Sequence, residues 1–164
     1  MMARRPLALG LSALLGVVCF LYRYLTFRGF SNDHYVHLAR AQQMLLGELP
    51  TRDFFDPGLP LMYALSAAPQ ALFARMLLPE VILVFGCLGL AAALTFSIIE
   101  RLTGSFRLAA VLTLLQILVF PRSYSYPKLL LYPVAVIAID RYARAPGAAR
   151  VAVLAVVTTL SFLM

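Results

Sequence analysis

Residues 81–99 read VILVFGCLGLAAALTFSII, and this uncharged stretch decides the fold class of the chain. At a rise of about 1.5 Å per residue, a helix of this length spans about 30 Å of membrane hydrocarbon. Charged side chains flank the stretch directly, Glu80 on one side and Glu100 and Arg101 on the other. We therefore predict a transmembrane helix over about residues 77–99.

The composition of the whole chain has the same apolar character. Of 164 residues, 62% are hydrophobic and 13% are charged, and the mean hydropathy is +0.88. A typical soluble domain is about 45–50% apolar and about 25% charged. A chain of this length cannot bury so much apolar surface in one core. The composition therefore excludes a soluble domain and indicates an integral membrane protein solvated by membrane lipid.

Further apolar runs predict an all-α, multi-pass bundle of transmembrane helices. The predicted helices cover about residues 6–25, 77–99, 107–120, 128–140 and 151–164. Bulky residues stand where a signal peptide would be cleaved after the first run, which favours an uncleaved helix. The last run reaches the end of the sequence without a polar flank, which favours a chain cut short from a longer protein.

The formal charge of +7 indicates membrane orientation rather than nucleic-acid binding, because the basic residues form short clusters between apolar runs. Cytoplasmic loops of membrane proteins are enriched in Lys and Arg. We therefore predict a protein of the cell (inner) membrane with a cytoplasmic N-terminus. The arginines on the inner side would be Arg4, Arg5, Arg101, Arg107, Arg141, Arg144 and Arg150. Residues 26–75 would form an outer loop.

The outer loop begins with a predicted amphipathic helix over about residues 33–46, which would lie along the membrane surface. Ser31 or Asn32 would cap its start, and Gly47 would end it. One face carries Asp33, His37 and Arg40, at offsets of four and seven residues. The opposite face is mostly apolar and consists of Tyr35, Leu38, Gln42 and Leu45. Asp33 is either a functional carboxylate or an acid favoured only by the helix dipole.

The second part of the outer loop contains two more carboxylates. Residues 50–60 read PTRDFFDPGLP, with Asp53 and Asp56 on either side of two phenylalanines and before a Pro-Gly turn. These acids form either a carboxylate pair beside a cavity at bilayer level or a capped turn in which Asp53 pairs with Arg52. The uncharged residues 58–73 follow, interrupted by Pro69, and predict an interfacial or re-entrant helix.

Several motifs of this loop resemble the first outer loop of GT-C class membrane glycosyltransferases, in particular the bacterial relatives of protein O-mannosyltransferase and lipid A aminoarabinose transferase. The motifs are NDHY at 32–35, LGELP at 46–50, RDFFDP at 52–57, LMY at 61–63 and YPK at 126–128. In that family an acid follows the first transmembrane helix, and an amphipathic helix then leads to a G-x-x-P-x-x-D stretch, here residues 47–53. Family members often have Glu where this chain has His34, and they are considerably longer, so the resemblance covers their N-terminal portion.

The resemblance implies an enzyme that transfers a sugar from a polyprenyl-phosphate carrier to an extracytoplasmic acceptor. Asp33 would be the catalytic base that accepts the proton of the acceptor. Supporting residues would be His34, His37, Arg40, Asp53 and Asp56. Arg122 and Lys128 would bind the carrier phosphate by charge-assisted hydrogen bonds, or would only anchor the chain at the interface. No cofactor is required, although Asp33 and Asp53 offer ligands for a divalent metal.

Two other functions compete with this interpretation. A non-catalytic multi-pass membrane protein would be a gene fragment of a glycosyltransferase or a small subunit that packs against a partner membrane subunit. A transporter should carry ionisable residues in mid-span, whereas Glu80 and Asp140 lie at the ends of their apolar runs. Cys19 and Cys87 each lie within an apolar run and indicate neither a disulfide framework nor a metal site.

Overall fold

The computed structural model describes residues 4–73, 76–119 and 123–164. Within these ranges the chain forms seven α-helices, a 3₁₀ turn at Ser123–Ser125 and no β-strand, which confirms the predicted all-α class. The helices are α1 (Arg4–Leu25), α2 (Asn32–Leu45), α3 (Pro60–Leu72), α4 (Leu77–Thr103), α5 (Phe106–Leu118), α6 (Tyr126–Arg144) and α7 (Ala148–Phe162).

Two helices in the described part of the chain are long and apolar enough to cross a membrane. They are Pro6–Leu25, within α1, and Leu77–Thr103, which is the whole of α4. The span predicted to end near residue 99 continues for another turn until Gly104, whose φ of +68° ends the helix. Hydropathy predicts where the apolar core of a helix lies, but a left-handed glycine sets the end of this one.

Two prolines lie inside helices. The predicted interruption at Pro69 is wrong, because α3 continues past this residue to Leu72. Pro133 likewise lies inside α6. A proline removes one backbone donor from a helix, and at Pro69 only the last turn of α3 follows. The side chain of Gln70 adds a bond there, since its Nε2 donates to the carbonyl oxygen of Ser66 at 3.1 Å.

The central helix is α4, which packs against α1, α5 and α6, while α7 packs against α6. Helix α3 contacts both α2 and α4. The contact between α1 and α4 is antiparallel and close at Gly16 and Gly89. A β-carbon on Gly16 would lie 2.9 Å from the carbonyl oxygen of Gly89, and one on Gly89 would lie 2.7 Å from that of Gly16. Ser12 Oγ donates to the carbonyl oxygen of Ala93 at 2.8 Å. Small residues and hydroxyls join helices in this way inside lipid.

Antiparallel packing gathers several arginines at one end of the molecule. Arg101 on α4 forms an ion pair with Asp140 on α6 at 3.1 Å, and Arg144 bonds the same carboxylate at 2.8 Å. Arg150, at the start of α7, donates to the carbonyl oxygen of Arg141 at 3.0 Å. Helices α2 and α3 lie at the other end, near the start of α4, about 30 Å away along that helix.

Candidate functional site

A buried hydrogen-bond network joins α2, α3 and α6 to the start of α4. Glu80, in the first turn of α4, is fully buried, and its Oε1 lies 3.0 Å from Nε2 of His34 on α2. The hydroxyl of Ser66 on α3 donates to the same oxygen at 2.8 Å. That bond uses the only hydrogen of this hydroxyl, so Tyr126 on α6 donates to Ser66 Oγ across 3.1 Å. Side chains of four helices are therefore joined in one network around this carboxylate.

Aromatic rings cover the pair of His34 and Glu80. The ring of Phe30 stacks on His34 with the centroids 3.9 Å apart, and the ring of Phe85 lies 6.4 Å from that of Phe30. Among the described residues, Glu80 Oε2 and His34 Nδ1 have no hydrogen-bond partner. A carboxylate only accepts hydrogen bonds, so Nε2 of His34 carries the hydrogen of the bond between them. The network ties α2 to α4 through His34.

Beside this network lies a cavity of about 720 Å³, between the end of α1, the start of α2 and α4. This volume is within the range of about 300–1,000 Å³ that is typical of small-molecule sites. Its polar lining includes Asp33 and two arginines, Arg23 and Arg28. Its apolar and aromatic lining consists of Phe27, Phe30, Phe85, Leu88 and Tyr124. The cavity therefore combines a carboxylate, two guanidinium groups and an apolar wall.

Asp33 lies in the first turn of α2 and is exposed. Its carboxylate forms no hydrogen bond or ion pair with another described residue. Ser31 occupies the N-cap position, as predicted, but its side chain makes no capping bond. The positive end of the helix dipole favours a carboxylate at this position. Both oxygens of Asp33 are thus available to a ligand in the cavity.

Arg23 and Arg28 were not predicted from the sequence as candidate site residues. Arg23 is buried, and its Nη2 donates to the carbonyl oxygen of Ile117 at 2.8 Å and to that of Val119. Arg28 is exposed and precedes Gly29, whose φ of +130° is strained for any residue with a β-carbon. Both are basic residues near the end of the first apolar helix, and this position is the signal that could have identified them.

His37 and Lys128 lie outside the lining of this cavity. The ring of His37 lies 5.7 Å from that of Tyr63 and 5.5 Å from that of Tyr124. Burial lowers the pKa of His37, the charges of His34 and Lys128 lower it further, and the carboxylate of Asp33 raises it. Lys128 is half-buried in the first turn of α6. Arg122, the other predicted phosphate ligand, lies outside the described residues.

Asp53 and Asp56 each stabilise the turn that precedes α3. Asp53 pairs with Arg52 at 2.7 Å, and this hydrogen-bonded pair is the main reason that the pKa of Asp53 is lowered. Asp56 Oδ1 accepts the backbone N–H groups of Gly58 and Leu59 at 2.9 and 2.8 Å. This is the capped turn that the sequence offered as one of two interpretations. Neither acid lines the cavity that contains Asp33.

Arg40 supports the same turn from α2. Its guanidinium lies 4.8 Å from the centre of the Phe54 ring, and its Nη1 donates to Oε1 of Gln43 at 2.9 Å. The two faces assigned to α2 also differ from those observed, because its buried residues are His34 and Ala41. Tyr35, predicted for the apolar face, is 40% exposed. The imidazole of His34 has a buried acid as partner, which a helical pattern alone does not reveal.

Metal ligands were suggested from the sequence at Asp33 and Asp53. Within the described residues, no three His, Cys, Asp or Glu side chains are grouped so as to hold a metal ion. The carboxylate of Asp53 is occupied by Arg52 and by the backbone N–H of Leu49.

Comparison with protein families, with characterised proteins and with solved structures gave no match to this chain.

Proposed function

We propose that this protein is a membrane glycosyltransferase, or part of one, that transfers a sugar from a polyprenyl-phosphate carrier to an extracytoplasmic acceptor. One observation carries the proposal: Asp33, Arg23 and Arg28 line the same apolar-walled cavity. The cavity lies at the end of α1 and beside α4, the two helices that are apolar enough to cross a membrane. The resemblance of the loop motifs to GT-C class enzymes supports the same function.

The proposal includes a multi-pass bundle in the cell (inner) membrane. Only 22% of the apolar window of α1 and 39% of that of α4 are buried by other parts of the protein. Large apolar side chains point outward on several helices, for example Leu14, Leu90 and Val156. Lipid would cover these surfaces, since proteins rarely expose large contiguous apolar surfaces to water.

The proposed orientation puts the arginine-rich end of the molecule, with Arg101 and Arg144, on the cytoplasmic side. The cavity and α2 are then at the outer surface. Exposed apolar side chains of α2, Tyr35 and Val36, would contact the lipid head-group region there. A carrier lipid could enter the cavity sideways from the bilayer in this arrangement.

Arg28 is the proposed ligand of the carrier phosphate. Its guanidinium has no hydrogen bond or ion pair with another described residue, and the planar fork of a guanidinium matches two phosphate oxygens. Arg23 binds backbone carbonyls at the end of α5 and just beyond it, and adds positive charge from within the wall. The first isoprene units would contact Phe27 and Phe85 in the apolar lining.

Asp33 is the proposed catalytic base. The phosphate of the carrier is a good leaving group, so the reaction needs no strong general acid. The enzyme must instead position the acceptor nucleophile and take its proton while the bond to the sugar forms. An exposed carboxylate at the rim of the cavity, not occupied by an ion pair, suits this role.

A lipid-binding measurement tests the proposed donor site. Purified protein in detergent should bind a polyprenyl phosphate about tenfold or more tightly than the matched unphosphorylated polyprenol, as expected for a charge-assisted hydrogen bond. Arg28→Gln should remove most of this preference. Arg107→Gln is the matched control, because Arg107 is an exposed arginine on α5 that does not line the cavity. Equal affinity for the two lipids, or the same loss in both variants, would refute the donor site.

A further inference from the structure

A second groove with both charged and apolar lining lies between α6 and α7, at the arginine-rich end of the molecule. Its volume is about 410 Å³. Arg141 and Arg150 line one part of it. The remaining lining is apolar and consists of Val134, Ile137, Ala138 and Val153. Val134 precedes Arg141 by about 10 Å along α6, so the groove is cationic at its mouth and apolar below.

Among the described residues, no acid pairs with the two arginines at this mouth. The guanidinium of Arg141 forms no hydrogen bond or ion pair with another described residue. Arg150 Nη1 donates to the carbonyl oxygens of Arg141 and Ala145, which fixes its guanidinium across the turn between α6 and α7. The neighbouring acid, Asp140, is engaged by two other arginines, Arg101 and Arg144.

We propose that this groove binds one anionic phospholipid of the surrounding bilayer. The two guanidinium groups of Arg141 and Arg150 bind the head-group phosphate, and one acyl chain lies along Val134 and Val153. Basic pockets between membrane helices bind anionic head groups in this way. The apolar walls favour a lipid over a free phosphate, because only a lipid carries an acyl chain that packs along them.

The proposal depends on α6 and α7 lying in the membrane, as proposed above, but not on the donor cavity. That cavity lies at the other end of α4 and shares no lining residue with this groove. A variant of Arg141 should therefore leave binding of a polyprenyl phosphate unchanged. Failure of the phospholipid site and failure of the donor site are thus distinguishable.

Native mass spectrometry of the detergent-purified protein tests this site. Phosphatidylglycerol or phosphatidylcholine with the same acyl chains is added, and the retained lipid is counted. The wild-type protein should retain phosphatidylglycerol in preference to phosphatidylcholine. Arg141→Gln should lower the apparent affinity of the protein for phosphatidylglycerol about fivefold. Arg107→Gln, which removes an arginine from α5 at the same end, should have no effect. Val134→Trp fills the groove without changing charge and should also lower retention, with thermal unfolding used to check that the variant folds.

Three results would overturn the proposal. The first is equal retention of the two phospholipids by the wild-type protein. The second is an equal loss in Arg107→Gln and Arg141→Gln, because retention would then reflect general surface charge. The third is displacement of phosphatidylglycerol by inorganic phosphate at low concentration, which would show a site for free phosphate and no use of the apolar groove.

Discussion

The Nε2 atom of His34 and the Oε1 atom of Glu80 lie 3.0 Å apart, and both side chains are buried. This contact fixes α2 to the start of α4. Asp33 is the direct neighbour of His34 in the chain, so the place of Asp33 at the cavity depends on this pair. Removing one partner of a buried hydrogen bond leaves the other group unsatisfied, which destabilises the folded state.

We expect Glu80→Ala to weaken the attachment of α2 to the start of α4. The substitution leaves His34 and Ser66 without an acceptor, and each unsatisfied buried group costs about 1–3 kcal/mol. Amide hydrogen exchange in α2 should accelerate, while exchange in the middle of α4 stays slow. The control is Glu100→Ala, because Glu100 lies on the same helix outside this network. Unchanged protection of α2 in Glu80→Ala would show that the pair does not hold this helix.

A bulky residue at Gly89 should separate α1 from α4. A β-carbon at this position would lie 2.7 Å from the carbonyl oxygen of Gly16, and backbone cannot give way as a flexible side chain can. Gly89→Val should therefore lower stability by about 1–3 kcal/mol more than a matched change in an open place. Gly86→Val is that control, since a β-carbon on Gly86 meets no atom within 4 Å. Thermal unfolding of both variants measures this difference in stability. Equal losses of stability in the two variants would contradict the close contact between α1 and α4.

The pKa of His37 should respond to two named charges. NMR titration should place this pKa below its ordinary value, because burial disfavours the imidazolium. Asp33→Asn should lower it further, and Lys128→Gln should raise it, since these groups act in opposite directions. A pKa that does not move in either variant would show that the two side chains lie farther from His37.

The lowered pKa of His37 also has a consequence for stability. The unfolded chain binds a proton at this residue more readily than the folded protein does. The resulting stabilisation is therefore present above pH about 6.5 and is lost as the pH falls below that value. His37→Gln should reduce the dependence of the unfolding temperature on pH in this range. An unchanged dependence would exclude His37 as its source.

Asp33→Asn should separate the two interpretations of this acid. The substitution keeps the size of the side chain but removes the proton acceptor, so sugar transfer in a reconstituted system should fall by at least about 10². A carboxylate that only favours the start of α2 would instead cost roughly 0.3–1 kcal/mol of stability, with near-normal transfer. Asp53→Asn is the matched control, because Asp53 is held by Arg52 outside the cavity.

Features that depend on local sequence were predictable, and features that depend on distant contacts were not. Uninterrupted hydropathy indicated α1 and α4, and the adjacent Arg52 and Asp53 suggested the ion pair that the structure contains. His34 and Glu80 are far apart in sequence, and nothing in either local pattern indicates that they meet. The proline rule failed at Pro69, because α3 continues to Leu72 although proline removes one backbone donor.

Labelling with a photoreactive polyprenyl phosphate tests most directly whether a carrier lipid binds beside Asp33. After cross-linking to the purified protein, mass spectrometry identifies the labelled segments. We expect label on residues 26–31 and at Asp33, Phe85 and Leu88, which line the cavity. Excess unlabelled polyprenyl phosphate should suppress this label, and unphosphorylated polyprenol should not. Label confined to α5 and α7, or equal suppression by both lipids, would contradict the proposed donor site.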